Sequence, residues 1–112
     1  MKRGEVWLVN LDPTIGAEIK KTRPAVIVNH DALGSLPLAI IVPITAWNEQ
    51  FKEAAWHVRV TASQRSGLSK ESSADTFQVR SVSRTRLVKQ LGELDEDEMH
   101  SISAGLRTSL DL

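Results

Sequence analysis

Two apolar runs open the chain, Val6–Leu11 and Ala25–Val28, with the polar stretch Asp12–Arg23 between them. The first run lies inside Glu5-Val-Trp-Leu-Val-Asn-Leu11, which is rich in β-formers and predicts a strand. Pro13 and Gly16 mark the stretch that follows as a loop. Pro24 lacks an N–H and suits the first position of a strand, and Ala25-Val-Ile-Val28 reads as a strand covered on both faces. His30–Pro37 is a connection with room for a helical turn, and Leu38–Val42 is the next apolar run. Pro43-Ile44-Thr45 is expected to break the ladder there and turn the chain outward. Trp47–Ala55 is polar and reads as a loop or a loose helical turn. Trp56–Thr61 alternates with period two, with Trp56, Val58 and Val60 inward and His57, Arg59 and Thr61 outward. Ala62–Ser72 reads as a polar loop and Ser73–Val79 as a strand, and Val82 and Leu87–Val88 indicate short pieces after it.

The period then changes. Met99, Ile102, Leu106 and Leu110 lie 3, 4 and 4 apart, on one face of a helix. Asp95 suits its N-cap with Glu98 three residues on, and Leu94 and Met99 stand at hydrophobic-staple spacing. Five or so short strands and one terminal helix predict a mainly β domain, a small barrel with helical cover. The 112 residues suffice for one domain, residues 1–112.

Composition narrows this picture. The chain has no cysteine, which removes disulfides and thiolate chemistry. No apolar run approaches the roughly 20 residues that span a bilayer. Met1-Lys-Arg-Gly-Glu5 leads straight into a strand without an apolar signal region, so a cytoplasmic protein away from the membrane is expected. Net charge is zero but unevenly spread. Residues 1–90 carry 13 Lys and Arg against 8 Asp and Glu, hence +5, and residues 91–112 carry 1 against 6, hence −5. That fits a phosphate-binding face with an acidic far side, and it fits charges that intermix in space.

His30, His57 and His100 fall in a loop, a strand and a helix without metal-ligand spacing, so neither a metal site nor a cofactor is expected. What remains is Glu18, Arg23 and Thr45, with the cations Lys20, Lys21, Arg59, Arg80 and Arg84. The Asp12–Arg23 region reads either as a surface hairpin with an ordinary ion pair or as an anion site. Thr45 comes beside Arg23 if the two apolar runs pair antiparallel, which their short connection favours. An acid, an arginine and a hydroxyl suit cleavage of RNA by its own 2′-OH. Such a site must remove a proton, neutralise charge on the pentacoordinate phosphate and protonate the leaving 5′-oxygen. Glu18 suits the first task and Arg23 the second, through paired N–H bonds to phosphate oxygens. Thr45 suits anchoring.

Arg3-Gly-Glu-Val-Trp7, Asp12-Pro-Thr-x-Gly-x-Glu18, Arg23-Pro-Ala-Val-Ile-Val28, Pro43-Ile-Thr45, Gln78-Val-Arg80 and Arg86-Leu87 together resemble the MazF/PemK family of toxin endoribonucleases. The resemblance is ordered and runs through the terminal helix. It implies an SH3-type PemK/CcdB-like barrel acting as a homodimer. It implies metal-independent cleavage of single-stranded RNA at short sequences, leaving a 2′,3′-cyclic phosphate and a 5′-hydroxyl. It also implies a cognate antitoxin that covers the RNA site. The family's catalytic arginine and threonine match Arg23 and Thr45, and the loop glutamate of some members matches Glu18. Lys20, Lys21, Trp47 and Arg80 are then the expected RNA contacts.

Two positions depart from the family pattern: Ala17 where some members have serine, and Phe77 where one branch has an acid before the glutamine. Trp7 reads as a core or interface residue and Trp56 as core, while Trp47 lies where it can stack on RNA. Arg84 and Arg86 are expected to brace a sheet edge. Two other classes stay open: a topoisomerase poison of the same fold, acting by binding alone, and a silent SH3-like interaction module.

Overall fold

The computed structural model describes residues 1–112. Seven strands and one helix follow in order: β1 Glu5–Asn10, β2 Thr22–Ile27, β3 Leu38–Ala46, β4 His57–Val60, β5 Ser72–Asp75, β6 Arg80–Ser83, β7 Leu87–Glu93 and α1 Glu96–Leu110. Short 3-10 turns at Asp31–Leu33, Glu49–Glu53, Thr76–Gln78 and Arg84–Arg86 join them. The antiparallel sheet runs β4-β5-β3-β2-β1-β7, and β6 also pairs with β3. The mainly β barrel with a helical cover therefore stands, with seven strands in place of the five expected.

Period-two patterning explains why β2 and β3 lie at the centre. Val26, Val28, Val42 and Ile44 enter one core, together with Val58, Val60 and Ile102. Ala25, Ile27, Ala39 and Ile41 enter a second, with Val9, Leu11 and Val82. Ala25–Val28 is thus buried on both faces, as its unbroken apolar run predicts. β1 serves both cores, Val6 in one and Val9 in the other, and its pairing with β7 shifts register between Val6 and Trp7 and between Leu8 and Val9.

Several expectations need correction. Pro43 does not end a strand: β3 runs through it to Ala46. Along one edge β3 pairs with β6 from Leu38 to Ile41 and with β5 from Ile44 to Ala46. Pro43 falls at the handover, where no partner on that edge needs its missing N–H. Pro24 is the third residue of β2, although the β2–β3 ladder starts only at Ala25. The strand expected over Ser73–Val79 stops at Asp75. Its carboxylate accepts the Phe77 N–H at 3.1 Å and starts a 3-10 turn, a local bond that competes with the ladder. Trp56 is not core; it precedes β4 and is 41% exposed.

Helix α1 begins with a full capping box. The Asp95 carboxylate accepts the Glu98 N–H at 2.7 Å and Glu98 accepts the Asp95 N–H at 3.1 Å. Ile102 is fully buried and Met99 and Leu106 pack beside it, whereas Leu110 is exposed, so only three of the four predicted positions face the core. Gly105 sits inside the helix because a Cβ there would come within 2.9 Å of Thr76 Cγ2. The close approach lets Thr76 Oγ1 donate to the Trp56 carbonyl at 2.7 Å and share a bond with Ser109 Oγ at 2.9 Å. Truncating Ile102→Ala should lower stability by about 2–5 kcal/mol, and Asp95→Ala by about 0.5–2 kcal/mol. Urea unfolding at equal slope is the measurement, and equal costs would remove Ile102 from the centre of the core.

Candidate anion-binding and catalytic site

The β2–β3 register sets the site. Ala25 faces Pro43, Val26 faces Val42 and Ile27 faces Ile41, so continuing the ladder by two residues places Arg23 across from Thr45. Opposed residues of an antiparallel pair point to the same face. Both line one recess of about 210 Å3, with Leu68, Ser69, Lys70 and Ser72 among its walls. Arg23 is exposed; its Nε donates to the Lys20 carbonyl at 3.3 Å, leaving the terminal nitrogens free. The Thr45 hydroxyl is half-buried and takes no partner within the protein, while on its other side Thr45 pairs with Ser73. An arginine fork and a free hydroxyl on adjacent strands suit a phosphate.

Glu18 lies elsewhere. It lines a second recess of about 550 Å3 with Ile19, Pro43, Phe77, Gln78 and Arg80. No ion pair joins it to Arg23, and its carboxylate accepts the Ile15 N–H at 3.1 Å within its own loop. The ordinary hairpin ion pair expected as one reading of these charges is not formed. Pro43 lines this recess and Ile44 the first, so the two are neighbours along β3.

The Asp12–Lys21 loop is held at both ends. The Asp12 carboxylate accepts the Lys21 N–H at 3.0 Å, at a residue with φ of 69°, and the Thr14 hydroxyl at 3.2 Å. The Lys21 amide holds the Asp12 carboxyl below its ordinary pKa, outweighing desolvation, with smaller help from the Thr14 hydroxyl and the charges of Lys20 and Lys21. Gln78 latches the loop's middle: its Oε1 accepts the Ile19 N–H at 2.7 Å and its Nε2 donates to Asp75 at 3.2 Å. Asp75 is thus a buried support. Lys20 and Lys21 project from this loop as exposed cations without ion pairs.

Arg80 donates to the Leu11 carbonyl at 3.2 Å and Arg84 to the Gly34 carbonyl at 2.9 Å. Arg86 donates to the Asn10 carbonyl at 3.1 Å. All three brace the barrel, and of them Arg80 lines the recess that holds Glu18. Trp47 is half-buried, its Nε1 donating to Glu49 at 2.9 Å and one ring face covered by the Arg59 guanidinium 4.8 Å from its centre. Arg59 in turn pairs with Glu71. Lys70 and Ser69 fall in a stretch that reads from sequence as a plain polar loop, yet they line the Arg23 recess, and Phe77 is 71% exposed and lines the Glu18 recess. Only the basic character of Lys70 within a Ser-rich stretch signalled it. No group of three or more His, Asp or Glu side chains is gathered to hold a metal ion.

The fold is a small SH3-like barrel in which an arginine and a free hydroxyl line one recess. The sequence profile described as a PemK-like, MazF-like toxin of type II toxin–antitoxin systems matches residues 2–110. The chain is 31% identical over 118 residues to endoribonuclease MazF9 of Mycobacterium tuberculosis, covering all of this chain and 98% of that protein. It is 31% identical over 113 residues to endoribonuclease EndoA of Bacillus subtilis, covering all of this chain and 96% of that one. The fold superposes on MazF from Deinococcus radiodurans with a TM-score of 0.83 at 22% identity, over all of this chain and 97% of that one. It also superposes on a mycobacterial endoribonuclease in complex with its cognate antitoxin, with a TM-score of 0.79 at 20% identity and 100% and 96% coverage. The chain belongs to the PemK/MazF toxin family.

Beside the site, His57 stacks on Phe51 with ring centres 3.6 Å apart and its Nδ1 shares a hydrogen bond with Ser73 Oγ at 2.8 Å. Burial pushes its pKa below the usual 6.5, and the Asp75 charge opposes this more weakly. Its neutral form is therefore favoured on folding. The associated stability is complete above the unfolded-state value and is lost as pH falls through 6.5 toward the folded-state value. The imidazole resonances of His57 should titrate with a midpoint below 6.5. The fall in stability between pH 7.5 and about 5.5 should be smaller in His57→Asn than in the unmodified protein. Equal falls in both proteins would remove His57 as the cause.

Proposed function

We propose that this protein is the toxin of a toxin–antitoxin pair, an endoribonuclease that cuts single-stranded RNA in the cytoplasm without a metal ion. The observation carrying this reading is the β2–β3 register, which brings Arg23 and Thr45 to one acid-free recess. The relatives named endoribonucleases support catalysis over the topoisomerase-poison and silent-module readings. In the proposed reaction the substrate's 2′-oxygen attacks phosphorus while the bond to the 5′-oxygen breaks. Glu18, from the adjoining recess, takes the 2′ proton, and solvent water protonates the leaving oxygen. Arg23 and Thr45 hold the non-bridging oxygens as charge grows on them. The products are a 2′,3′-cyclic phosphate and a 5′-hydroxyl. Lys20, Lys21 and Arg80 contact the RNA backbone, and Trp47 offers its remaining face to a base.

Two partners accompany this reading. A cognate antitoxin is one partner, a reading supported by the mycobacterial endoribonuclease of the same fold solved with its cognate antitoxin, and its seat in this proposal is the same basic surface. A second copy of the chain completes a homodimer. Leu33, Leu36, Leu38 and Ile40 are exposed together around the start of β3, next to the unpaired outer edge of β6. Light scattering at micromolar concentration should give twice the 12.4 kDa of one chain. Leu38→Glu should shift the mass toward one chain, and a wild-type monomer would refute the dimer.

Cleavage of mixed-sequence RNA should survive EDTA and leave cyclic phosphate ends, whereas loss on chelation with recovery in magnesium would refute the mechanism. Arg23→Ala should slow cleavage by about 10²–10³ while changing affinity for an uncleavable 2′-deoxy analogue far less. Arg23→Lys should rescue little, because an ammonium cannot make the paired contact. A defect confined to analogue binding would make Arg23 a positioning residue. Glu18→Gln should flatten the acidic limb of the pH–rate profile.

A further inference from the structure

The recess shared by Arg23 and Thr45 has a second cation, Lys70, and no acid in its lining. In a chain with equal numbers of acidic and basic residues, that imbalance is local and selects for an anion. Lys70 takes part in none of the three ion pairs, and its ammonium makes no hydrogen bond within the protein. The acid beside it is occupied: Glu71 pairs with Arg59, and its Oε1 accepts the Ala62 N–H at 2.9 Å. That amide, followed by Arg59, holds the Glu71 carboxyl below its ordinary pKa despite desolvation, so it stays charged and engaged.

The backbone that carries Lys70 is fixed from two sides. Gly67, with φ of 71°, packs so closely on β7 that a Cβ would overlap the Leu91 carbonyl. Gly92 packs reciprocally, where a Cβ would overlap the Arg65 carbonyl. Ser66 Oγ ties the start of the loop by donating to the Thr61 carbonyl at 2.9 Å. At the far end Ser72 Oγ donates to the Lys70 carbonyl at 2.8 Å, and the Glu71 carbonyl accepts the Trp47 N–H at 3.0 Å. The side chain is flexible but its anchor is not.

We propose that Lys70 is a phosphate-binding residue of the substrate site, completing an anion seat that it shares with Arg23 and Thr45. The proposal rests on the endoribonuclease reading for its substrate, a single-stranded RNA backbone. It assigns Lys70 a task unlike that of Arg23. An ammonium is a point charge that cannot make arginine's paired contact, so its assigned task is to hold the backbone phosphate in the bound complex. Arg23 is fitted to oxygens whose charge grows during reaction. One recess thus divides binding from catalysis between two cations.

The test measures Lys70→Ala and Lys70→Arg, checked for folding by circular dichroism and melting temperature, on a 2′-deoxy analogue and its cleavable parent. Lys70→Ala should weaken analogue binding about 5- to 20-fold at low salt, between the values of exposed and enclosed charged contacts. The slope of log affinity against log salt should fall by about 0.7, one single-strand phosphate contact. KM for the parent should rise by a similar factor with kcat nearly unchanged, and Lys70→Arg should restore affinity. Unchanged analogue affinity and salt slope would overturn the proposal, as would a defect in kcat alone. Because the analogue is never cut, failure of the endoribonuclease reading appears separately, as a wild-type protein that binds the oligonucleotide and does not cleave its parent.

Discussion

The double allegiance of β3 is the constraint on which the structure depends. One edge lies against β2 with a single register, and the other is handed from β6 to β5 across Val42 and Pro43. A slip of one residue would exchange the side chains of the two cores, because Val42 and Ile44 serve one and Ala39 and Ile41 the other. With both faces of the strand buried, such a slip is heavily penalised. The same register places Arg23 beside Thr45, so the precision of the site follows from the core.

Loops then bring the remaining groups to that fixed pair. The Ala62–Ser72 segment delivers Lys70 because two glycines allow it to lie directly on β7. The Asp12–Lys21 segment delivers Glu18 to a neighbouring recess, held by Gln78 and, behind it, by Asp75. In the proposed reaction such an arrangement draws on preorganisation, with arginine and hydroxyl in position before charge develops on the phosphate. Glu18, attached only through loop contacts, is the group whose placement has the most freedom.

A cluster of aromatic rings lies along the flank of the site. Trp47, Phe51, His57, Trp56 and Phe77 follow one another with centroid separations of 5.8, 3.6, 6.0 and 6.5 Å. Phe51 and His57 fill the middle, while Trp56 and Phe77 reach solvent. Period-two alternation assigned Trp56 to the interior. A residue just ahead of a strand is not bound by the strand's alternation, and a 3-10 turn frees Phe77 in the same way.

What the sequence determined by itself is whatever depends on short-range pattern. The doubly buried Ala25–Val28, the half-buried His57–Val60 and the capped helix from Asp95 all follow from apolar periodicity and local hydrogen bonding. Arg23 and Thr45 were legible as partners because antiparallel pairing of two apolar runs leaves few registers that bury both. Tertiary structure decided the rest. Pro43 reads as a breaker until β3 is seen to change partners at that point, and Glu18 reads as facing Arg23 until Gln78 is seen holding its loop elsewhere. Lys70, forty-seven positions after Arg23 in the chain, belongs to the same recess only because Gly67 and Gly92 bring two backbones into contact. Such contacts depend on how distant segments fill space, and no local pattern encodes them.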